Sequence, residues 1–255
     1  MAEQETSGED SPPNSTGGHP HRAGSAASRA GGPPPIIEMR GVGKVFFRGK
    51  EPVEVLSNLD LDVPEGSFDA LMGPSGSGKS TLLNLIAGLD QPTTGTARVA
   101  GHDITRMKDA ELAQFRSRTM GFIFQAYNLL PVLTALENVE LPLLLVPGLG
   151  SAERKKRAQT ALRIVGLEDR TGHYPRQLSG GQEQRVTIAR AIVNDPAIIV
   201  ADEPTGDLDR KSADDILTLL ERLNKEFKKT ILMVTHDPAA AERATVIRRL
   251  NKGAL

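Results

Sequence analysis

The sequence predicts an α/β fold built on a mainly parallel β-sheet. Short apolar segments alternate with helical segments along most of the chain, as strands and crossover helices do in such sheets. The apolar runs at 198–201 and 231–234 are continuous, which is typical of strands buried on both faces. With 255 residues, of which 38% are hydrophobic and 25% charged, the chain has the size of one such domain or two small ones.

The first half of the predicted domain opens with two strands joined by a turn at Arg48-Gly49-Lys50, and this pair predicts an antiparallel β subdomain. Further along, a helical segment ends at Gly88, and Asp109 is placed to cap a second helix. The predicted segments are strands over 36–47, 53–63 and 68–72, a helix over 79–87, a strand over 96–99, a helix over 109–118 and a strand over 120–124.

The character of the chain changes over roughly 126–177, where prolines, leucines and a basic helical stretch predict a helical subdomain. The basic run Arg154-Lys155-Lys156-Arg157 is either an interaction patch or a solvated helix face, and the second is favoured. After 178 the alternation resumes, with a helix over 182–193, a strand over 197–201, a helix over 212–227 and a strand over 230–235. The helix over 212–227 carries an apolar stripe formed by Ile216, Leu219, Leu220, Leu223 and Phe227.

Residues 1–35 are rich in glycine, proline, serine and alanine and contain almost no large apolar side chain. Such a segment buries too little surface to offset the entropy of ordering, so we expect a disordered N-terminal tail. His19 and His21 lie in it, and two solvated histidines are favoured over a metal-binding pair. The folded domain is expected over 36–255.

The composition excludes several classes of function. A net charge of −1 gives no overall field that would attract nucleic acid or anionic lipid. The absence of cysteine excludes disulfides, thiol catalysis and thiolate metal sites, and it fits a reducing compartment. No run of about eighteen apolar residues and no apolar signal segment is present, so we expect a cytoplasmic protein without a membrane span.

The segment Gly73-Pro74-Ser75-Gly76-Ser77-Gly78-Lys79-Ser80-Thr81 contains the P-loop pattern between a predicted strand and a predicted helix. Glycines allow backbone N–H groups to converge on phosphate oxygens, and the following helix directs its positive end at the same charge. Lys79 is suited to neutralise the β- and γ-phosphates, and the Ser80 hydroxyl is suited to Mg²⁺. The sequence therefore predicts a site for a nucleotide with Mg²⁺.

Polar side chains follow three predicted strands, where open α/β sheets bind their ligands. Asp202 and Glu203 follow the run 198–201; Asp202 is placed to hold Mg²⁺, and Glu203 to orient or deprotonate a water. His236 follows the run 231–234 and is a candidate contact of the γ-phosphate. Gln125 follows the strand over 120–124, and from the pattern alone a surface glutamine is an equal alternative.

A second glycine loop, Leu178-Ser179-Gly180-Gly181-Gln182, precedes a predicted helix. Ser179 is suited to cap that helix, and the paired glycines expose backbone N–H groups, which makes a second anion site. The P-loop already encloses the phosphates from its own side. We therefore expect the second loop to serve a nucleotide that another subunit holds.

The order of these motifs resembles the nucleotide-binding subunit of an ATP-binding cassette (ABC) transporter over roughly residues 36 to 252. The resemblance implies an ABC ATPase with the P-loop NTPase fold, a helical subdomain, and a head-to-tail homodimer that encloses two ATP molecules. It also implies an integral membrane permease subunit as partner, which would place the protein peripherally on the inner face of the cell membrane. Segments such as Gly88-Leu89-Asp90 and 128–131 are similar to the subgroup that serves lipoprotein release, macrolide efflux and the cell-division permease complex.

The resemblance further implies individual roles. Catalysis would depend on Lys79, Glu203 and His236, and the Mg²⁺ ligands would be Ser80, Gln125 and Asp202. The implied ATP contacts beyond the P-loop are Phe46, Gln125, Ser179, Gly180, Gly181, Gln182 and Asp209. For Phe46, which would contact adenine, neighbouring Phe47 and a purely structural role remain alternatives.

Three positions depart from expectation. Glu183 replaces a usual glutamine, in a helix turn where an acid is favourable. Asp207 stands where the subgroup often has asparagine. Asp69 lies inside a strand that should be buried, so it must find a partner or lie nearer the end of the sheet.

Two rival interpretations use the same P-loop. A soluble ABC ATPase that acts on nucleic acid or ribosomes would need a long coiled-coil insertion or a second cassette, and the chain has neither. A P-loop kinase or GTPase would not need the loop at 178–182. We therefore expect a transporter ATPase with no nucleic-acid partner.

Overall fold

A computed structural model of the protein describes residues 34–255. Residues 1–33, which hold most of the predicted tail together with His19 and His21, lie outside the described residues. The described chain forms nine strands and seven α-helices. In order these are β1 (Ile37–Arg48), β2 (Glu51–Val63), β3 (Phe68–Met72), α1 (Lys79–Ile86), β4 (Thr94–Val99), β5 (His102–Asp103), α2 (Asp109–Thr119), β6 (Met120–Phe124), α3 (Ala135–Glu140), α4 (Ser151–Ile164), α5 (Gly180–Ile192), β7 (Ile198–Asp202), α6 (Arg210–Lys225), β8 (Thr230–Val234), α7 (Pro238–Ala241) and β9 (Val246–Arg249).

The main sheet has five strands in the order β6-β7-β8-β3-β9, and all of its pairs are parallel. This confirms the predicted mainly parallel sheet. The apolar run Ile198–Ala201 is fully buried in β7, because helices cover both faces of the sheet. Since parallel strands end at one edge, the polar residues that follow β3, β6, β7 and β8 lie on the same side of the molecule.

The second sheet is antiparallel and has the order β2-β1-β4-β5. The turn between β1 and β2 lies at Gly49-Lys50, within the predicted turn. Strands β5 and β9 and helix α7 were not predicted, because two to four residues carry too little periodicity to identify an element. The antiparallel sheet packs its inner face on α1 through Leu82, Leu85 and Ile86.

Between β6 and α5 the chain forms helices α3 and α4 and a 3₁₀ segment over Leu141–Leu145. Buried Asn138 holds the turn before α3, since its amide nitrogen donates to the carbonyls of Leu130, Leu133 and Thr134. Its amide oxygen accepts from the Leu130 N–H at 2.8 Å, so the buried polar group is fully satisfied. The turn is therefore fixed by one side chain.

The cap predicted for α2 and the bounds predicted for α5 and α6 were wrong. Helix α2 is preceded by Lys108, whose N–H donates to the Glu111 carboxylate at 2.8 Å, and Asp109 is the first helical residue rather than the cap. Helix α5 begins at Gly180 rather than at 182, directly after Ser179, whose predicted role as its cap is confirmed. Helix α6 ends at Lys225, so Phe227 leaves the apolar stripe and its side chain is 43% exposed.

Asp69 is completely buried in β3, and it finds its partner on the neighbouring strand. Arg248 of β9 donates through Nε to Asp69 Oδ2 at 2.6 Å and through Nη2 to the Asp62 carbonyl at 2.6 Å. The second oxygen, Asp69 Oδ1, has no hydrogen-bond partner. The ion pair therefore ties the edge strand β9 to the strand that leads into the P-loop.

This pair predicts an asymmetric response to mutation. Arg248→Met should lower the free energy of unfolding by about 3 kcal/mol, because it leaves the Asp69 carboxylate buried without a cation. The double variant Asp69→Val/Arg248→Met should recover most of the loss, since it also removes the buried charge. Urea unfolding of both variants tests this; equal instability of the single and double variants would contradict it.

Candidate nucleotide-binding site

The P-loop is held in shape by its own chain before any ligand is considered. Lys79 Nζ donates to the carbonyls of Gly73 and Pro74 at 2.8 and 2.9 Å, which curls the loop over the first turn of α1. At Gly78 the backbone has φ +98°, and a Cβ there would lie 2.9 Å from Leu56 Cδ2. This position therefore requires glycine both for its conformation and for its packing.

The segment that follows β9 is hydrogen-bonded to the P-loop. The Leu250 N–H donates to the Met72 carbonyl at 2.7 Å, and the Gly253 N–H donates to the Ser77 carbonyl at 3.2 Å. A Cβ at Gly73 would lie only 2.2 Å from the Leu250 carbonyl oxygen. The segment after β9 thus supports both ends of the P-loop.

The acidic pair predicted at the end of β7 faces the P-loop across a cleft of about 470 Å³. Glu203 has φ +48°, which is a strained conformation for a non-glycine residue, and its N–H donates to the Val234 carbonyl at 2.9 Å. Its Oε1 lies 2.8 Å from His236 Nδ1. The cleft is lined by Val55, Ser75, Gly76, Gly78, Lys79, Ser80, Thr81, Asp202, Glu203, Val234 and His236.

Burial raises the pKa of Asp202, and the nearby Glu203 raises it further. Lys79 and a hydrogen bond from Ser80 act in the opposite direction and lower the pKa of Asp202. A desolvated carboxylate beside a hydroxyl and a second acid is a favourable place for a divalent cation with oxygen ligands. Ser80 and Asp202 therefore fit the predicted Mg²⁺ site.

Gln125 follows β6 and does not line this cleft. Its amide nitrogen donates to Asp207 Oδ1 at 2.9 Å, so the side chain is tied to the segment that follows Glu203. Asp207, which stands where the subgroup often has asparagine, therefore has a hydrogen-bond partner in Gln125. A metal-ligand role for Gln125 stays a prediction.

Fully buried Gln184 of α5 links two of the strand ends that carry site residues, and the sequence analysis missed it. Its amide nitrogen donates to the carbonyls of Pro204 at 2.7 Å and Phe124 at 3.4 Å, next to Glu203 and Gln125 respectively. The Thr187 hydroxyl donates to its amide oxygen at 2.9 Å. The available signal was a polar residue that shares the buried face of α5 with apolar residues.

The loop at 178–182 forms a separate cleft of about 210 Å³. Ser179 Oγ accepts from the Gln182 N–H at 3.3 Å, and the Gln182 amide oxygen accepts from the Ser179 N–H at 2.9 Å, which completes a capping box. Asp209, predicted to contact ATP, caps α6 by accepting from the Ser212 N–H and hydroxyl. The cleft is lined by Gly166, Leu167, Ser179, Gly181, Gln182, Arg185, Ser212 and Asp215.

Phe46 lies on β1 outside the P-loop cleft, and its ring is covered by the Lys44 ammonium 4.9 Å from the ring centroid. Phe46 is 42% exposed and Phe47 is 73% exposed, so neither is a core residue. This removes the structural alternative for Phe46. Its contact with adenine stays a prediction.

The structure thus assembles the P-loop, Asp202, Glu203 and His236 in one cleft and places the loop at 178–182 in another. A match to the family described as "ABC transporter" spans residues 56–206, more than half of the chain. The chain belongs to the ABC transporter family. The predicted family is therefore confirmed.

Two named relatives of this ABC protein align with most of its chain. A macrolide export ATP-binding/permease protein, MacB 1/2, of Paracoccus denitrificans is 52% identical over 82% of this chain, which corresponds to 31% of that relative's length. An uncharacterized ABC transporter ATP-binding protein, YknY, of Bacillus subtilis is 51% identical over 81% of this chain and 89% of its own length. The chain therefore spans about a third of the first relative and most of the second.

A solved structure of the ATP-binding cassette MJ0796, in a dimeric post-hydrolysis state bound to ADP and Pi, is 45% identical in sequence with a TM-score of 0.79. The match covers 86% of this chain and 96% of that chain; the relative of that name is from Methanocaldococcus jannaschii. These comparisons confirm the ABC ATPase fold and the ATPase activity predicted for this chain. Within residues 34–255, no helix of this ABC ATPase has the length and apolar character needed to cross a membrane.

Proposed function

We propose that this ABC ATPase hydrolyses ATP with Mg²⁺ in a head-to-tail homodimer and drives a separate integral membrane permease of the lipoprotein-release or macrolide-export type. The observation that carries the proposal is the division of the site into two clefts. The charged groups for phosphate and water lie in one cleft, and the glycine loop at 178–182 lies in another. Each chain thus holds two complementary halves of a nucleotide site.

Within the P-loop cleft, the proposed roles follow from chemistry. Lys79 would release its two backbone carbonyls and bind phosphate oxygens, and Ser80 and Asp202 would hold Mg²⁺, which neutralises phosphate charge when bound. Glu203 would orient the attacking water and accept its proton. His236, which contacts Glu203 Oε1, would steady that carboxylate and reach the γ-phosphate.

Within the second cleft, Ser179, Gly180, Gly181 and Gln182 begin α5, whose N–H groups and positive end suit an anion. In a head-to-tail pair, this helix start of one chain would face the P-loop of the other. The dimeric state of the MJ0796 cassette supports this arrangement. ATP would then be bound between two copies, with Asp209 and Phe46 also contributing.

The proposed permease site is an apolar cleft of about 460 Å³ between β6 and the 3₁₀ segment over Leu141–Leu145. It is lined by Phe122, Phe124, Leu141, Pro142 and Leu145 together with the guanidinium groups of Arg116 and Arg190. Leu145 is 72% exposed, so apolar area faces solvent at this cleft. We assign the cleft to a cytoplasmic segment of the permease, which would hold the protein at the inner face of the membrane; the name of the Paracoccus relative joins an ATP-binding part to a permease.

Leu145→Glu should abolish recovery of the proposed permease partner when the two proteins are co-expressed and purified in mild detergent. A charge in the apolar cleft would have to be buried on docking. Phe227→Glu is the matched control, because Phe227 is an exposed apolar residue that does not line the cleft, and it should retain the permease. Permease retention by Leu145→Glu would contradict the docking site, and recovery of ribosomes or DNA instead of a membrane protein would contradict the proposed function.

A further inference from the structure

Tyr127 lies against the first residue of α5. A Cβ built at Gly180 would be 2.9 Å from the Tyr127 hydroxyl oxygen and 3.6 Å from Leu208 Cδ2. Both neighbours belong to other segments, since Tyr127 follows Gln125 and Leu208 precedes Asp209. Gly180 is therefore enclosed by a side chain from each of two loops that carry site residues.

The backbone of Tyr127 is fastened to the same helix at a second point. Arg190 of α5 donates to the Tyr127 carbonyl at 2.9 Å and to the Asn128 carbonyl at 2.7 Å. Asn128 has φ +51°, a conformation that asparagine tolerates better than most residues. Tyr127 thus meets α5 at both ends, through its backbone at Arg190 and through its hydroxyl at Gly180, so its position is linked to that of the helix.

Gln125 connects the segment that carries Tyr127 to the segment that carries Leu208. Its amide donates to Asp207, which directly precedes Leu208, so the two walls around Gly180 are joined to each other. The carboxylates of Glu183 and Asp207 both lie near the Tyr127 side chain; burial first, then these two charges, raise the pKa of the Tyr127 hydroxyl. A tyrosine hydroxyl is already protonated at neutral pH, and this shift keeps it protonated at higher pH.

We propose that Tyr127 is a positioning residue whose hydroxyl sets the place of the loop at 178–182 relative to Gln125. The inference rests on the proposed function, in which that loop meets a nucleotide held by a second copy. Movement of Gln125 at one nucleotide would then shift the loop presented to the other. Tyr127 thereby couples the two nucleotide sites of a dimer.

The steric contact gives a rescue test. Gly180→Ala should lower kcat for ATP hydrolysis by about tenfold to a hundredfold, because the new methyl group displaces the loop from the hydroxyl. Adding Tyr127→Phe should restore most of that loss, since the nearest remaining ring atom, Cζ, lies 3.8 Å from the Cβ position. Tyr127→Phe alone should reduce the cooperativity of hydrolysis with ATP concentration while leaving the melting temperature unchanged.

Gly181→Ala is the matched control. A Cβ at Gly181 would lie 3.1 Å from the Ser212 side chain, and Tyr127 is not among its nearest neighbours. Tyr127→Phe should therefore not rescue Gly181→Ala. Failure to rescue Gly180→Ala, or equal rescue of both alanine variants, would overturn the role of Tyr127. Either result leaves the proposed function intact as long as the wild-type protein still dimerises with ATP. A wild-type protein that never dimerises with ATP would overturn both the proposed function and the role of Tyr127.

Discussion

Glu203→Gln is expected to lower the rate of ATP hydrolysis by about 10²–10⁴-fold while ATP still binds. Glutamine has the shape of glutamate and can keep a contact with His236, but it does not accept a proton from water. The P-loop and Asp202 are untouched by this change, so phosphate and metal binding remain. The nucleotide should therefore persist uncleaved in the site.

An uncleaved nucleotide should hold two copies together, so Glu203→Gln should elute as a dimer with ATP and as a monomer without it. Single-turnover hydrolysis and gel filtration measure the two effects. The control is Glu203→Gln/Ser179→Arg, in which a bulky side chain fills the second cleft and should prevent the dimer. Normal turnover of Glu203→Gln would remove the assigned role of Glu203, and a dimer that survives Ser179→Arg would refute the shared site.

Asp202→Asn is expected to have opposite effects on activity and on stability. It should lower hydrolysis by about a hundredfold or more, because an amide is a poor ligand for Mg²⁺ beside Ser80. Without nucleotide, however, it should raise the melting temperature at neutral pH. The wild-type protein must bury a carboxylate there, and asparagine removes that cost.

The pH dependence follows from the raised pKa of Asp202 relative to the ordinary value of 3.8. A raised folded-state pKa favours folding below pH 3.8, and this contribution is lost as pH rises through the folded-state pKa. The advantage of Asp202→Asn should therefore grow from acid to neutral pH. Thermal unfolding of both proteins without nucleotide, at acid and at neutral pH, measures this difference in stability. A variant less stable than the wild type at pH 7 would contradict the argument.

The sequence was sufficient to predict the parallel sheet and the polar residues of the P-loop cleft. Continuous apolar runs mark buried strands, and each run places the polar residue that follows it at one edge. The positions of Asp202, Glu203 and His236 follow from this rule. The predicted roles of Phe46, Gln125 and Asp209 concern ligand contacts, and they stay predictions.

The sequence could not supply contacts that depend on distant segments. Asp69 looked misplaced because its partner, Arg248, lies on a four-residue edge strand with no recognisable pattern. Gln184 and Tyr127 were missed because their importance comes from what they touch across the fold. Such residues are visible only once the register of the strands and the packing of α5 are known.

The segment after β9 has a consequence for how the protein is made. The Met72 and Ser77 carbonyls at the two ends of the P-loop receive their hydrogen bonds from Leu250 and Gly253. A ribosome adds those residues long after the P-loop has left the exit tunnel, and contacts so distant in sequence form slowly. A nascent chain should therefore carry an incompletely supported P-loop, so that nucleotide recognition matures only after synthesis has passed residue 253.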